Sequence, residues 1–222
     1  GANFVLGWFL LPESLPEEKR RRFDWRRANP FGVLRVFRGY PTVLPLTLVM
    51  SLYLFAGSIY PTLWTFWGIA AFGWTEITIG LTLALFGILA ALIEGVLSGP
   101  LVRWFGEVRV VIAGLLTATV GAIGFGLAGS TATVLLLLVV VAFEGLVHPC
   151  LTALMTKEVP DDAQGELQGG ISSLANLAML LAAIFFTQLF GWFVRPEAVT
   201  PSPGAPFFVA SVIFAAALLL FQ

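Results

Sequence analysis

Long apolar runs dominate this chain, and polar residues appear almost only between them. From Gly39 to Thr75, and again from Val110 to Phe143, no residue carries a charge. Apolar runs longer than about 18 residues read as helices that cross a bilayer. Five such spans fall at about Thr42–Trp67, Ile77–Leu101, Val110–Ala128, Ala132–Met155 and Glu166–Val194, and a sixth fills the chain after the loop Arg195–Pro206. The uncharged stretch from Val110 would make a helix of roughly 51 Å, against a hydrocarbon core of about 30 Å. A break is therefore expected at Gly129-Ser130-Thr131. The fold class that follows is an all-α membrane protein built as a six-helix transmembrane bundle. The apolar stretch Gly1–Leu11 is too short to cross, so the expected division is the end of a truncated helix at 1–12, a basic linker at 13–41, and the six-helix unit at 42–222 with its last span cut short.

Composition and charge sharpen this picture. The chain is 58% hydrophobic and 11% charged, where an ordinary soluble domain carries roughly 25% charge. Eight of the 12 Lys+Arg residues precede residue 39, two more (Arg103, Arg109) lie between the second and third spans, and Lys157 follows the fourth. Loops rich in Lys and Arg stay cytoplasmic, which puts the linker and these loops inside, in a cytoplasmic or inner cell membrane, and leaves Arg195 alone outside. Within the linker, Pro30–Tyr40 alternates basic residues with Phe31, Val33, Leu34, Val36 and Phe37, a pattern that suits a helix on an anionic leaflet or a solvated connector. The single Cys150 excludes an internal disulfide, and no cysteine–histidine cluster has metal-ligand spacing. No metal, cofactor or nucleic-acid partner is expected.

Glu94, Glu144 and His148 are the sharpest chemical signals. An ionised group near the bilayer centre costs at least ~2.5–3.5 kcal/mol, so it normally faces the bundle interior or a wet cavity. Glu144 lies about halfway along the fourth span and His148 one turn later, where the two share a helix face and are placed to hydrogen-bond. Burial disfavours the ionised form of each while their attraction opposes that, which suits proton exchange. Pro149 frees a carbonyl near Gly145 and kinks the helix. Each acid also has a structural reading, Glu94 reaching the interface and Glu144–His148 bracing two helices.

On the first span Tyr53, Tyr60, Trp64 and Trp67 recur on one face, with Pro61 kinking the backbone. They line a cavity for a bulky ligand or, for the tryptophans with Phe72 and Trp74, form an outer interfacial belt. Small residues at Gly80, Ala84, Gly87, Ala91, Gly95 and Ser98 trace one face of the second span, and Gly114, Gly121, Gly124 and Gly126 mark the third. Both sets predict close helix packing. Arg103 and Arg109 flank Gly106 and Glu107 in a tight turn, where they are placed for an ion-pair latch. Gln164 and Gln168 face the cytoplasmic mouth or serve helix capping and packing.

Several strings then converge on one family. Leu11-Pro12-Glu13-Ser14-Leu15-Pro16 with Phe23-Asp24-Trp25-Arg26-Arg27-Ala28-Asn29-Pro30 resembles the segment after the sixth helix of tetracycline-resistance-like drug:proton antiporters of the major facilitator superfamily. Trp64 with Phe72-Gly73-Trp74 looks like that family's seventh helix and outer loop. Gly99-Pro100-Leu101-Val102-Arg103-Trp104-Phe105-Gly106-Glu107 resembles the cytoplasmic motif between helices eight and nine, and the segment from Pro160 to Gly169 the entry to helix eleven. The resemblance implies that the six spans are helices seven to twelve, the second half of a twelve-helix fold whose partner is an N-terminal six-helix half. It further implies efflux of small, amphipathic or drug-like molecules in exchange for protons. The places where tetracycline carriers hold a helix-eight histidine and a helix-nine aspartate are occupied by Ala90 and Ala118. Proton coupling is thereby assigned to Glu144, His148 and Glu94, or to the other half, and the substrate cavity to Tyr53, Tyr60, Trp64 and Gln168. The loop motif comprises Gly99, Arg103, Gly106, Glu107 and Arg109. An intramembrane enzyme would need a catalytic pair at depth, and His148 is the one histidine. The remaining alternative is a transporter-derived sensor or scaffold that does not transport.

Overall fold

The computed structural model describes residues 40–195 and 202–222. The expected tail of a preceding helix, the linker up to residue 39 and its PES and basic strings lie outside the described residues, as does part of the loop after Arg195. Among the described residues, five helices are long and apolar enough to cross a membrane: α1 (Val43–Phe72), α2 (Glu76–Phe105), α3 (Glu107–Leu127), α4 (Thr131–Lys157) and α5 (Asp161–Val194). A shorter apolar helix, α6 (Ala205–Phe221), follows. The expected break near Gly129 stands, with Ser130 capping α4 by accepting from the Thr133 amide at 3.2 Å.

Helix α3 packs most extensively against α4 and α6, and α1 packs on α6 with α5 along its other side. Helix α4 closes against α3 and carries α2. In α3 the glycines are contact points. A Cβ on Gly114 or Gly121 would strike the side chain of Val147 or Val141 of α4, and one on Gly126 the ring of Phe208. This is the small-residue packing that lipid-immersed helices require.

The stripe on α2 behaves differently from expectation. Gly80, Gly87 and Gly95 have open space where a Cβ would sit, and only 11% of the helix's apolar window is buried. The inward face is the opposite row, with Ile79, Thr82 and Ile93 buried. Both faces of α2 are apolar or small, so composition alone leaves the orientation open.

Three spans carry local irregularities, and in two of them a proline lies close by. α1 is interrupted at Ser58, three residues before Pro61, consistent with the missing N–H of proline. Helix α4 tightens into a 3-10 turn over Ala142–Leu146, just before Pro149. In α2, residues Ile93–Leu97 widen into a π turn around Glu94, a feature often found at functional sites. At one end of the bundle Gly106 turns α2 into α3 with φ 77°, a backbone region that disfavours side chains. Beside that turn Lys157 pairs with Glu107 at 2.5 Å. This contact takes the place of the expected latch through Arg103 and Arg109. It also joins the two loops that charge bias assigned to one side of the membrane.

Candidate functional site

The C-terminal half of α1 contributes to an aromatic core. Trp67 and Trp64 are 1% and 6% exposed, packed against Phe125 of α3, with Trp67 also against Phe207 of α6. Trp74 is buried beside them. The interfacial-belt reading of Trp64, Trp67 and Trp74 is thereby corrected: their rings fill the bundle. A buried indole N–H needs an acceptor. Trp64 Nε1 donates to Thr82 Oγ1 at 3.0 Å and Trp74 Nε1 to Thr131 Oγ1 at 2.8 Å.

Below this core lies an apolar slot of about 370 Å³ between α1, α2, α3 and α4. Tyr60, Pro61, Trp64, Phe86, Phe125 and Leu138 are among its walls. The volume falls within the range of small-molecule pockets, roughly 300–1,000 Å³. A second cavity of about 320 Å³ adjoins it and has Phe86 as a common wall. Glu94 from α2 and Glu144, Gly145 and His148 from α4 line this second space, together with Tyr53 and Ala90. The structure thus gathers the three expected proton-coupling residues from two helices around one cavity.

Local geometry explains how they meet. Glu144 is 6% exposed, and its Oε2 accepts from the Tyr60 hydroxyl at 3.4 Å. The Tyr53 hydroxyl donates to the Glu144 carbonyl at 3.2 Å. The expected Glu144–His148 hydrogen bond is absent among the described residues, because the 3-10 winding of Ala142–Leu146 removes the α-helical i,i+4 alignment. His148 is instead exposed on the cavity rim. Glu94 sits directly over Gly145, where an added Cβ would come within 2.5 Å of its Oε1. Ser98, just after the π turn, donates to the Glu94 carbonyl at 2.5 Å.

Tyr53, Tyr60 and Trp64 all belong to these two spaces or their walls. Gln168 is exposed on α5 and lines neither. Of the loop-motif residues, Gly106 makes the turn and Glu107 the ion pair, whereas Arg103 and Gly99 are exposed. Arg109 edges a third, apolar crevice of about 210 Å³ with Phe105 and Phe143. Sequence reasoning missed Thr82, Phe86 and Phe125. The row Thr82, Phe86, Ala90, Glu94 at i,i+4 intervals was a usable signal, since it places the acid on the same face as the cavity-lining residues.

The geometry defines a polytopic helical bundle with an aromatic slot and acid groups at depth, the architecture of a membrane transport protein. A family model described as Major Facilitator Superfamily matches residues 1–187, and the chain belongs to that family. It is 33% identical over 190 residues to the class C tetracycline resistance protein of Escherichia coli, covering 86% of this chain and 48% of that one. The class G tetracycline resistance protein of Vibrio anguillarum is 30% identical over 167 residues, covering 74% and 42%. The bovine Hippocampus abundant transcript-like protein 1 is 25% identical over 232 residues, covering 95% and 46%. The chain spans a little under half the length of each of these relatives. The crystal structure of the human organic anion transporter MFSD10 superposes with a TM-score of 0.85 at 24% identity, covering 100% of this chain and 54% of that one. That likeness speaks to the fold. The tetracycline-resistance resemblance read from the sequence strings is borne out by these relatives, and the family is one of transporters rather than enzymes.

Proposed function

We propose that this chain is the second six-helix half of a proton-coupled exporter of small drug-like molecules. The observation that carries the reading is the convergence of Glu94, Glu144 and His148 on one cavity beside an aromatic slot. The tetracycline resistance proteins among its relatives support drug-type transport. An ionised Glu144 at this depth is costly, so the carboxylate favours a state in which a proton or a cationic ligand neutralises it. Alternate occupancy by the two, in halves that rock about the site, yields exchange. Every titratable side chain lining the two spaces (Glu94, Glu144, His148, Tyr53, Tyr60) comes from α1, α2 or α4. The unpartnered α2 face with Gly80, Gly87 and Gly95 is assigned to the preceding six-helix half. The Glu107–Lys157 end is assigned to the cytoplasm of a cell membrane.

Everted membrane vesicles carrying the natural protein provide the test. Substrate accumulation there should follow an imposed proton gradient and collapse with an uncoupler, and Glu144→Gln should abolish gradient-driven uptake. Equal uptake by the two proteins would remove Glu144 as the proton carrier.

A further inference from the structure

The third crevice shares no lining residue with the slot or the acidic cavity. Leu101 and Phe105 of α2, Arg109 and Ala113 of α3, and Phe143 and Leu146 of α4 are among its walls. Its floor lies where α3 and α4 come closest, at Gly114, whose missing Cβ leaves room for Val147 and the Phe143 carbonyl. Its rim is open, since Phe105 is 52% exposed and Arg109 and Ala113 are exposed too. From Arg109 to Gly114 the crevice descends roughly 7.5 Å along the helix axis. It is therefore charged at one end and apolar below. Among the described residues, Arg109 is the one charged group lining it and has no ion-pair partner. The carboxylate nearest in sequence, Glu107, is held by Lys157. Trp104, 72% exposed at the same end, stands where interfacial aromatic anchors belong.

We infer that this crevice seats an anionic phospholipid, one acyl chain lying along Phe105, Ala113 and Phe143 and its phosphate on Arg109. The volume of about 210 Å³ is below that of small-molecule pockets, roughly 300–1,000 Å³, and suits a length of hydrocarbon chain. An unpaired guanidinium takes a phosphate through two parallel hydrogen bonds. A zwitterionic headgroup would bring an ammonium as well, and no carboxylate lines the crevice to receive it. Net negative charge is thereby selected. The inference rests on this end of the bundle facing the cytoplasm, the side of the bilayer where basic pockets between helices meet anionic headgroups. Arg103 supplies a built-in control. It lies two residues from both Leu101 and Phe105, which puts it on the other side of α2 from the crevice.

Native mass spectrometry of the purified natural protein gives the affinity of the first lipid bound. Dioleoyl phosphatidylglycerol and dioleoyl phosphatidylcholine, titrated in the same detergent, have equal chains and differ in net charge. The anionic lipid should bind about fivefold more tightly, the contribution of one basic residue near a membrane surface. Arg109→Gln should lose this preference and Arg109→Lys keep it, whereas Arg103→Gln should leave it intact. Ala113→Phe, which fills the crevice from its exposed rim, should lose the preference with Arg109 present. Where that variant does not run as a monodisperse species, the Arg109 and Arg103 variants decide. Equal binding of the two lipids overturns the proposal. So does an equal loss in Arg103→Gln and Arg109→Gln, which would mark a diffuse surface charge. Retention of the preference in Ala113→Phe would remove the acyl chain from the crevice. Displacement of the lipid by soluble glycerol phosphate would make this a site for free phosphate and overturn the lipid as occupant. Each of these results leaves proton-driven export standing, because the crevice has no residue in common with the cavities on which that reading rests.

Discussion

Replacing Gly145 with alanine separates the site from the scaffold. The new Cβ would lie 2.5 Å from Glu94 Oε1 and 3.4 Å from its Cδ, whereas ordinary contact begins at 3.4 Å. The carboxylate must therefore retreat by about 1 Å, and as the free end of an exposed side chain it can do so at little steric cost. Helix propensity works in the other direction, alanine being favoured over glycine by about 1 kcal/mol. Net stability should change by less than about 1 kcal/mol, or roughly 2–4 °C in Tm. The effect on function is larger. Moving one unit charge from about 4 to about 5 Å from a bound cation, at an effective dielectric constant near 20, forfeits on the order of 0.8 kcal/mol, about fourfold in affinity. Thermal unfolding in detergent and cation binding should be measured on one preparation of Gly145→Ala. The expected result is a Tm within about 4 °C of the natural protein's, with binding weakened about fourfold. A matched pair on a Glu94→Ala background should show no further loss, since the displaced group is gone. Unchanged binding in Gly145→Ala, or the same loss on both backgrounds, would refute the placement of Glu94 at the binding cavity.

Two further substitutions test the scaffold. A Cβ on Gly204 would fall 2.5 Å from the Gly126 carbonyl oxygen and 3.1 Å from its Cα, so backbone rather than a flexible tip must yield. Gly204→Ala should cost about 1–3 kcal/mol through separation of α3 and α6, and a Tm within 1 °C of the natural protein's, well inside the shift roughly expected for that loss, would show that the close approach does not exist. Trp67→Ala should cost about 3–5 kcal/mol, because its ring is buried against Phe207 and Phe125. A loss below about 1 kcal/mol in chemical unfolding would return Trp67 to the membrane interface, where truncation forms no core cavity.

The membrane class was legible in the residues because it depends on bulk properties. Uncharged runs such as Gly39–Thr75 admit few structures in lipid, where each backbone polar group must be satisfied within its own helix. The break near Gly129 followed from length alone, and the irregularities in α1 and α4 lie next to Pro61 and Pro149, where the missing amide allows them. The acids also stood out, since ionisable groups are rare and costly at such depth. Their partners did not. Glu144 was paired with His148 on α-helical spacing, yet the local 3-10 turn brings it to Tyr60 instead.

Facing directions were where the one-dimensional pattern gave out. In water, alternation of polar and apolar positions marks the buried side of a helix. In lipid both sides are apolar, so the glycine row of α2 reads as the packing face, yet the Thr82–Phe86–Ala90–Glu94 row is the one turned inward. Likewise a tryptophan at the end of a span suits the interface or a core, and only the positions of Phe125, Phe207, Thr82 and Thr131 decide between them. The sequence by itself determined that six apolar helices are present, roughly where they end, and that two acids and a histidine lie within them. Which residues share a cavity was decided by tertiary structure, since helices from distant parts of the chain meet according to side-chain shape that no periodicity records.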